Sequence, residues 1–248
     1  MELNYNQYKT KMRKLLAIIV LACLTMGAKA QIVDAELATK PADKTVYYQT
    51  PGDIEKKNTF IVISKKEQRL YVYGKTASGE TVLMAKYPVC LSKNKGQKQR
   101  RGDMKTPSSP KDKPFYISMI QDASTWKHDF KDGRGNIKAY GHWFMRLVTP
   151  GHSGIGIHGS TNNENSVPGR HSEGCIRLRD PDIIALKEKF AYVKMKVHIK
   201  GEEEGPWDWE LAAHRKAVPM RGAGKCNGHR ENCKDECGGG ATRAGSVD

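Results

Sequence analysis

No stretch of this 248-residue chain is apolar for long enough to cross a bilayer as a helix, which takes about 20 such residues. The longest apolar run, Leu15 to Leu24, falls well short of that. Internal repeats are absent, which excludes solenoids and propellers. Negative charge is scarce: 27 Asp and Glu stand against 42 Lys and Arg, leaving a net charge of +15. Such a surface attracts polyanions. The chain has no basic motif interleaved with aromatics of the RNA-binding kind, so nucleic acid is not the expected partner. An anionic lipid or wall polymer, or a merely solubilising surface, remains. Aromatics are only 8% of the chain, yet hydrophobic residues reach 38%, which excludes a disordered composition at this length.

The apolar run that does exist has a different use. Lys9, Lys11, Arg13 and Lys14 precede it and Ala28-Lys29-Ala30 follows, which is the pattern of a secretory leader with Gln31 as the mature start. Cleavage at a lipoprotein site, with Cys23 lipidated, is the rival processing. Residues 1–30 carry five basic and one acidic side chain, a net of four positive charges, so the mature chain holds +11. The expected location is the periplasm or cell envelope. Cysteine is sparse too: Cys90, Cys175, Cys226, Cys233 and Cys237 remain after Cys23 is removed. An odd number leaves at least one thiol free or paired with another chain.

Residues 31–57 read as a polar linker, and residues 58–201 as one domain. Phe60-Ile61-Val62-Ile63 and Leu70-Tyr71-Val72-Tyr73, joined by a short polar turn, form a β-hairpin. Further strands are expected over Thr81–Leu91, Phe115–Ile117, Tyr140–Val148 and Ile155–His158. A basic loop from Ser92 to Lys113 separates the first two. One helix is clear: Asp180 can cap it, Pro181 suits its first turn, and Ile183, Leu186 and Phe190 share a face. From Tyr192 to Ile199 the residues alternate, predicting a strand that buries Val193, Met195, Val197 and Ile199. The fold class is therefore mostly β (α+β), a mixed sheet or sandwich with one or a few short helices. Residues 202–248 read as a Gly- and Cys-containing flexible tail. There Cys226, Cys233, Cys237 and His229 could supply zinc ligands, but their spacing is not that of a standard finger, and no metal or other cofactor is expected.

The residues able to do covalent chemistry are concentrated in two segments, Ile155-Gly156-Ile157-His158-Gly159-Ser160 and His171-Ser172-Glu173-Gly174-Cys175-Ile176-Arg177-Leu178. A thiol attacks as thiolate, so its free pKa near about 8.5 must be lowered or a base must stand by. His158 is the nearest candidate base for Cys175, if the polar loop between them folds back. Gly174 permits an unusual backbone conformation beside the thiol. A buried structural thiol and a hydrogen-bonded strand-end histidine would give the same spacing.

Ile157-His158-Gly159-Ser160 followed by Ser172-x-Gly174-Cys175-Ile176-Arg177 resembles the active-site signature of L,D-transpeptidases with the YkuD-type catalytic domain. The hairpin, Thr106-Pro107, and Tyr140-Gly141-x-Trp143-Phe144 leading into the histidine segment resemble that family as well. The resemblance spans roughly residues 58–200. It implies that Cys175 attacks the carbonyl before the terminal D-alanine of a peptidoglycan stem peptide, with His158 as base. The Gly159 carbonyl would orient the imidazole, and the Gly174 and Cys175 amides would receive the oxyanion. Arg177, Ser172 and Trp143 would contact substrate, and carbapenems would acylate the thiol. A second stem peptide as acceptor gives a 3→3 cross-link, whereas water gives a carboxypeptidase or endopeptidase. A catalytically silent wall-binding module would need Cys175 or His158 replaced. One departure stands out: many members carry histidine where this chain has Glu173. That carboxylate is expected to point away, with His171 as a candidate to compensate. His142 and His152 are read as surface histidines, and Cys90 as a buried thiol.

Overall fold

A computed structural model describes residues 44–220. The leader residues 1–30 with Cys23, most of the linker, and Cys226, Cys233, Cys237 and His229 lie outside the described residues. In chain order the strands are β1 (Val46–Tyr47), β2 (Thr59–Ser64), β3 (Arg69–Lys75), β4 (Thr81–Pro88), β5 (Cys90–Ser92), β6 (Phe115–Asp122), β7 (Lys127–Asp129), β8 (Asn136–Lys138), β9 (Trp143–Val148), β10 (Gly156–His158), β11 (Gly169–Ser172) and β12 (Ile176–Arg177). Helix α1 (Asp180–Lys189), β13 (Lys196–Ile199) and α2 (Asp208–Lys216) complete the described elements. All strands but β7 and β8 join one mixed sheet in the order β1-β4-β3-β2-β13-β6-β9-β10-β12-β5-β11; β7 and β8 form a separate hairpin. No described helix is long and apolar enough to cross a membrane.

The β2–β3 hairpin pairs antiparallel from Thr59 opposite Gly74 to Ser64 opposite Arg69. Ile61, Ile63, Leu70 and Val72 point into the main core. Val62, Tyr71 and Tyr73 point the other way, into a second cluster with Leu83 and Ala213. A strand apolar at nearly every position is one covered on both faces, and α2 supplies the second cover. The supposed tail thus contains an element that sequence reading did not anticipate. Glu210 of α2 forms a buried ion pair with Lys200 at 2.6 Å, and its carboxylate accepts the N–H of Trp207 at 2.7 Å. That second bond closes the first turn of α2. Trp207 and Trp209 complete the packing.

Several boundaries differ from expectation for local reasons. The strand expected over Thr81–Leu91 is two: β4 pairs with β3, while β5 has moved on to pair with β11 and β12. The strand ending at Ile199 begins only at Lys196, because Lys194 turns through φ +75°. Val193 is consequently 50% exposed rather than buried. Asp180 does not cap α1. The helix already begins at Asp180, with Arg179 in the capping position, and the Asp180 carboxylate accepts the Ser160 N–H (2.8 Å) and the Thr161 hydroxyl instead. Ile183, Leu186 and Phe190 do enter the main core.

Candidate active site

Two short strands bring the two sequence segments together. Strands β10 and β12 run parallel, with Ile157 beside Ile176 and His158 beside Arg177. Side chains alternate across a strand, so Ile157 and Ile176 enter the core while His158 and Arg177 share the other face. Cys175, one residue before β12, falls on that face too. His158, Cys175 and Arg177 all line one cavity of about 570 Å³.

The imidazole of His158 is held on three sides and is 3% exposed. Phe144, its partner on β9, stacks on it at 5.6 Å between ring centres, and Tyr140 lies at 5.0 Å. Its Nδ1 lies 2.7 Å from the Gly159 carbonyl oxygen. A carbonyl only accepts, so Nδ1 carries the proton and Nε2 is left as the basic atom. The Gly159 backbone is itself pressed against Gly141. A Cβ on Gly141 would stand 2.5 Å from the Gly159 Cα and would collide with the Asp180 carboxylate, and Gly141 also sits at φ +68°.

Burial pushes the His158 pKa down to about 3, with the neighbouring Arg177 charge acting in the same direction. Burial likewise pushes the Cys175 thiol up. The Gly156 backbone amide and Arg177 pull it back, and Glu173 pushes it further up. Both shifts favour the neutral forms, a thiol and an unprotonated imidazole in one cavity, over a thiolate–imidazolium pair. Because the histidine pKa is lowered, the base remains unprotonated as pH falls from its ordinary value toward about 3. Alkylation of Cys175 by iodoacetamide, followed by mass spectrometry of its peptide, is expected to accelerate from about pH 6 to about pH 9 with no acid plateau. A plateau persisting into acid would show a thiolate–imidazolium pair at rest.

The turn that presents Cys175 is tied by Ser172. Its hydroxyl donates to the Cys175 carbonyl at 2.6 Å and accepts the Gly174 N–H at 3.2 Å. Ser172 is fully buried and lines the cavity, with its hydroxyl engaged in the turn. The same bond occupies the Gly174 amide, whereas the described hydrogen bonds do not include the Cys175 amide. Gly174 lies at φ +144°, a conformation that glycine tolerates.

Arg177 is 2% exposed; its guanidinium lies 4.8 Å from the Phe130 ring centre, and its Nε has no partner. Trp143 is not among the cavity residues. It packs against the main core under Lys187 of α1, whose Nζ is 4.3 Å from the ring centre. His152 lines the cavity, whereas His142 and His171 do not. Cys90 is buried beneath the site, its sulfur 3.4 Å from the His171 amide.

Glu173 does not point away. It lines the cavity and its Oε2 lies 3.3 Å from Nε2 of His128. His128 belongs to β7, on the hairpin that also carries Phe130. Sequence reading missed both residues, together with Lys98, Arg101 and Tyr140 as cavity lining. The dense Lys and Arg of the Ser92–Lys113 loop were a signal for Lys98 and Arg101. The two three-residue strands of the hairpin offered no periodicity to find.

Residues 58–199 match the model of the L,D-transpeptidase catalytic domain, YkuD. No curated protein matches the chain. Among solved structures, Bd1075 from Bdellovibrio bacteriovorus is 20% identical over 71% of this chain and 58% of its own, with a TM-score of 0.44. The helical cell shape determining protein Pgp2 from Campylobacter jejuni is 18% identical over 68% and 55%, with a TM-score of 0.41. An L,D-transpeptidase from Mycobacterium smegmatis is 16% identical over 58% and 59%, with a TM-score of 0.37. The chain therefore spans little more than half the length of each.

Proposed function

The chain belongs to the L,D-transpeptidase catalytic domain family, and from that premise we propose that it is an exported cell-wall acyltransferase with Cys175 as nucleophile. The observation that carries the reading is the shared cavity of His158 and Cys175, with Nδ1 of the histidine engaged by Gly159. In the first step Nε2 of His158 takes the thiol proton as sulfur attacks the carbonyl preceding the terminal D-alanine of a tetrapeptide stem. The negative oxygen is received by the Cys175 N–H. The imidazolium then gives its proton to the departing nitrogen, the C–N bond breaks, and a thioester remains while D-alanine leaves. Arg177, buried and with an unpartnered Nε, is suited to a carboxylate of the donor stem. In the second step an amine from another stem resolves the thioester into a 3→3 cross-link.

The leader pattern supports a reaction in the periplasm or cell envelope, where the basic surface would meet an anionic wall. Mature protein incubated with disaccharide tetrapeptides is expected to release D-alanine and to form cross-linked dimers detectable by mass spectrometry. Release without dimers would assign water as the acceptor and make the protein a carboxypeptidase. No release would defeat the acyl-transfer reading.

A further inference from the structure

The cavity around Cys175 is rich in cations: Lys98, Arg101 and Arg177 all line it, and Glu173 is the one carboxylate among its described lining residues. Lys98 is already matched by Asp103 at 2.7 Å. Glu173 is 37% exposed at its side chain, and only its Oε2 is engaged, by His128. Arg101 has no ion pair among the described residues. For the first chemical step Glu173 is a hindrance, since its charge pushes the thiol up. A carboxylate that opposes thiolate formation, yet faces the nucleophile from two residues away, fits a cation that enters or leaves afterwards.

The proposed reaction supplies such a cation. Expelled D-alanine carries an ammonium and a carboxylate on one carbon, and its nitrogen is released next to the acyl carbon on Cys175. Any acceptor amine borne by an α-amino-acid centre presents the same pair of charges in the same place. By microscopic reversibility, D-alanine returning as acceptor uses the subsite it left, and another α-amino-acid amine fits there through the same pair of charges. We propose that Glu173, oriented by His128, binds the ammonium of an α-amino-acid zwitterion in this subsite, and that Arg101 binds its carboxylate. This deepens the acyl-transfer reading and rests on it.

The subsite also settles where protons go. The bound ammonium loses one proton to the Glu173 carboxylate and becomes a nucleophilic amine. Its nitrogen attacks the thioester carbon and loses a second proton to Nε2 of His158. The C–S bond breaks, and the imidazolium returns that proton to the thiolate. The products are an amide, the free thiol and one proton, which Glu173 releases to solvent.

The test follows one thioester partitioning between two acceptors. Mature protein is given tetrapeptide and isotopically labelled D-alanine, and mass spectrometry reads labelled tetrapeptide (exchange) against tripeptide (hydrolysis). Because both products leave the same thioester, their ratio is independent of how fast the enzyme is acylated. Glu173→Gln is expected to lower the exchange-to-hydrolysis ratio about tenfold at subsaturating D-alanine, the loss of one charge-assisted contact. Arg101→Ala should lower it similarly with D-alanine but not with ethylamine, which lacks the carboxylate. Glu173→Gln should lower it with both. His128→Gln should reduce the ratio less than Glu173→Gln does. A Glu173→Gln ratio within about twofold of the parent, an energy difference too small for a charged contact, overturns the subsite while leaving acyl transfer standing. Failure of the parent protein to release D-alanine overturns both.

Discussion

Replacing Cys175 by alanine is expected to leave a folded protein that gains no mass from a carbapenem and releases no D-alanine from a tetrapeptide. The residue is only partly exposed, but its sulfur meets polar backbone groups, the Gly154 carbonyl at 3.4 Å and the Gly156 amide, so little apolar packing is lost. Removing a nucleophile that works as a unit with its base costs about 10⁶ in turnover in comparable hydrolytic sites. His158→Ala should keep the thiol but lose the base, with acylation slowed by about 10² to 10⁴. The order of the two effects matters, because a resting thiol with a raised pKa needs its base more than a thiolate would. Intact-protein mass spectrometry after drug treatment reads both variants. Acylation of the Cys175→Ala variant would remove this residue from the mechanism.

The second large effect lies away from the reacting atoms. Gly141→Ala places a methyl group 2.5 Å from the Gly159 Cα, at a backbone angle of φ +68°. The left-handed conformation and the overpacking together are expected to cost about 2–5 kcal/mol. A shift of the urea midpoint at unchanged slope would measure it. The backbone that must yield carries the Gly159 carbonyl, which orients the imidazole at 2.7 Å. Turnover should therefore fall as well, by about 10²-fold for a displacement on the order of 1 Å. A variant of parental stability and activity would show that the glycine contact does not position the histidine.

Much of the fold was readable where a local period was strong. The β2–β3 hairpin and the apolar face of α1 follow from residue spacing, because each buries a repeating face against one core. The ends of elements were less readable. Lys194 turns the chain where the alternation of Tyr192–Ile199 ran on unbroken, and Asp180 serves the Ser160 amide rather than its own helix. Helix α2 was hidden because its partners, Val62, Tyr71 and Tyr73, lie over a hundred positions earlier. The uninterrupted apolar character of β2 was the available hint that a second cover existed.

The motif around Cys175 and His158 identified the family, and a thiol and a base in that order are what the proposed covalent chemistry requires. Tertiary structure decided the rest. The parallel register of β10 and β12 set both side chains on one face. The buried hydroxyl of Ser172 claimed the Gly174 amide, and a hairpin with no detectable period brought His128 to Glu173. Each of these depends on chain segments distant in sequence meeting at hydrogen-bond distance. A one-dimensional pattern records which groups exist, whereas the meeting of those groups, and with it the pKa of each, is a property of the packed sheet.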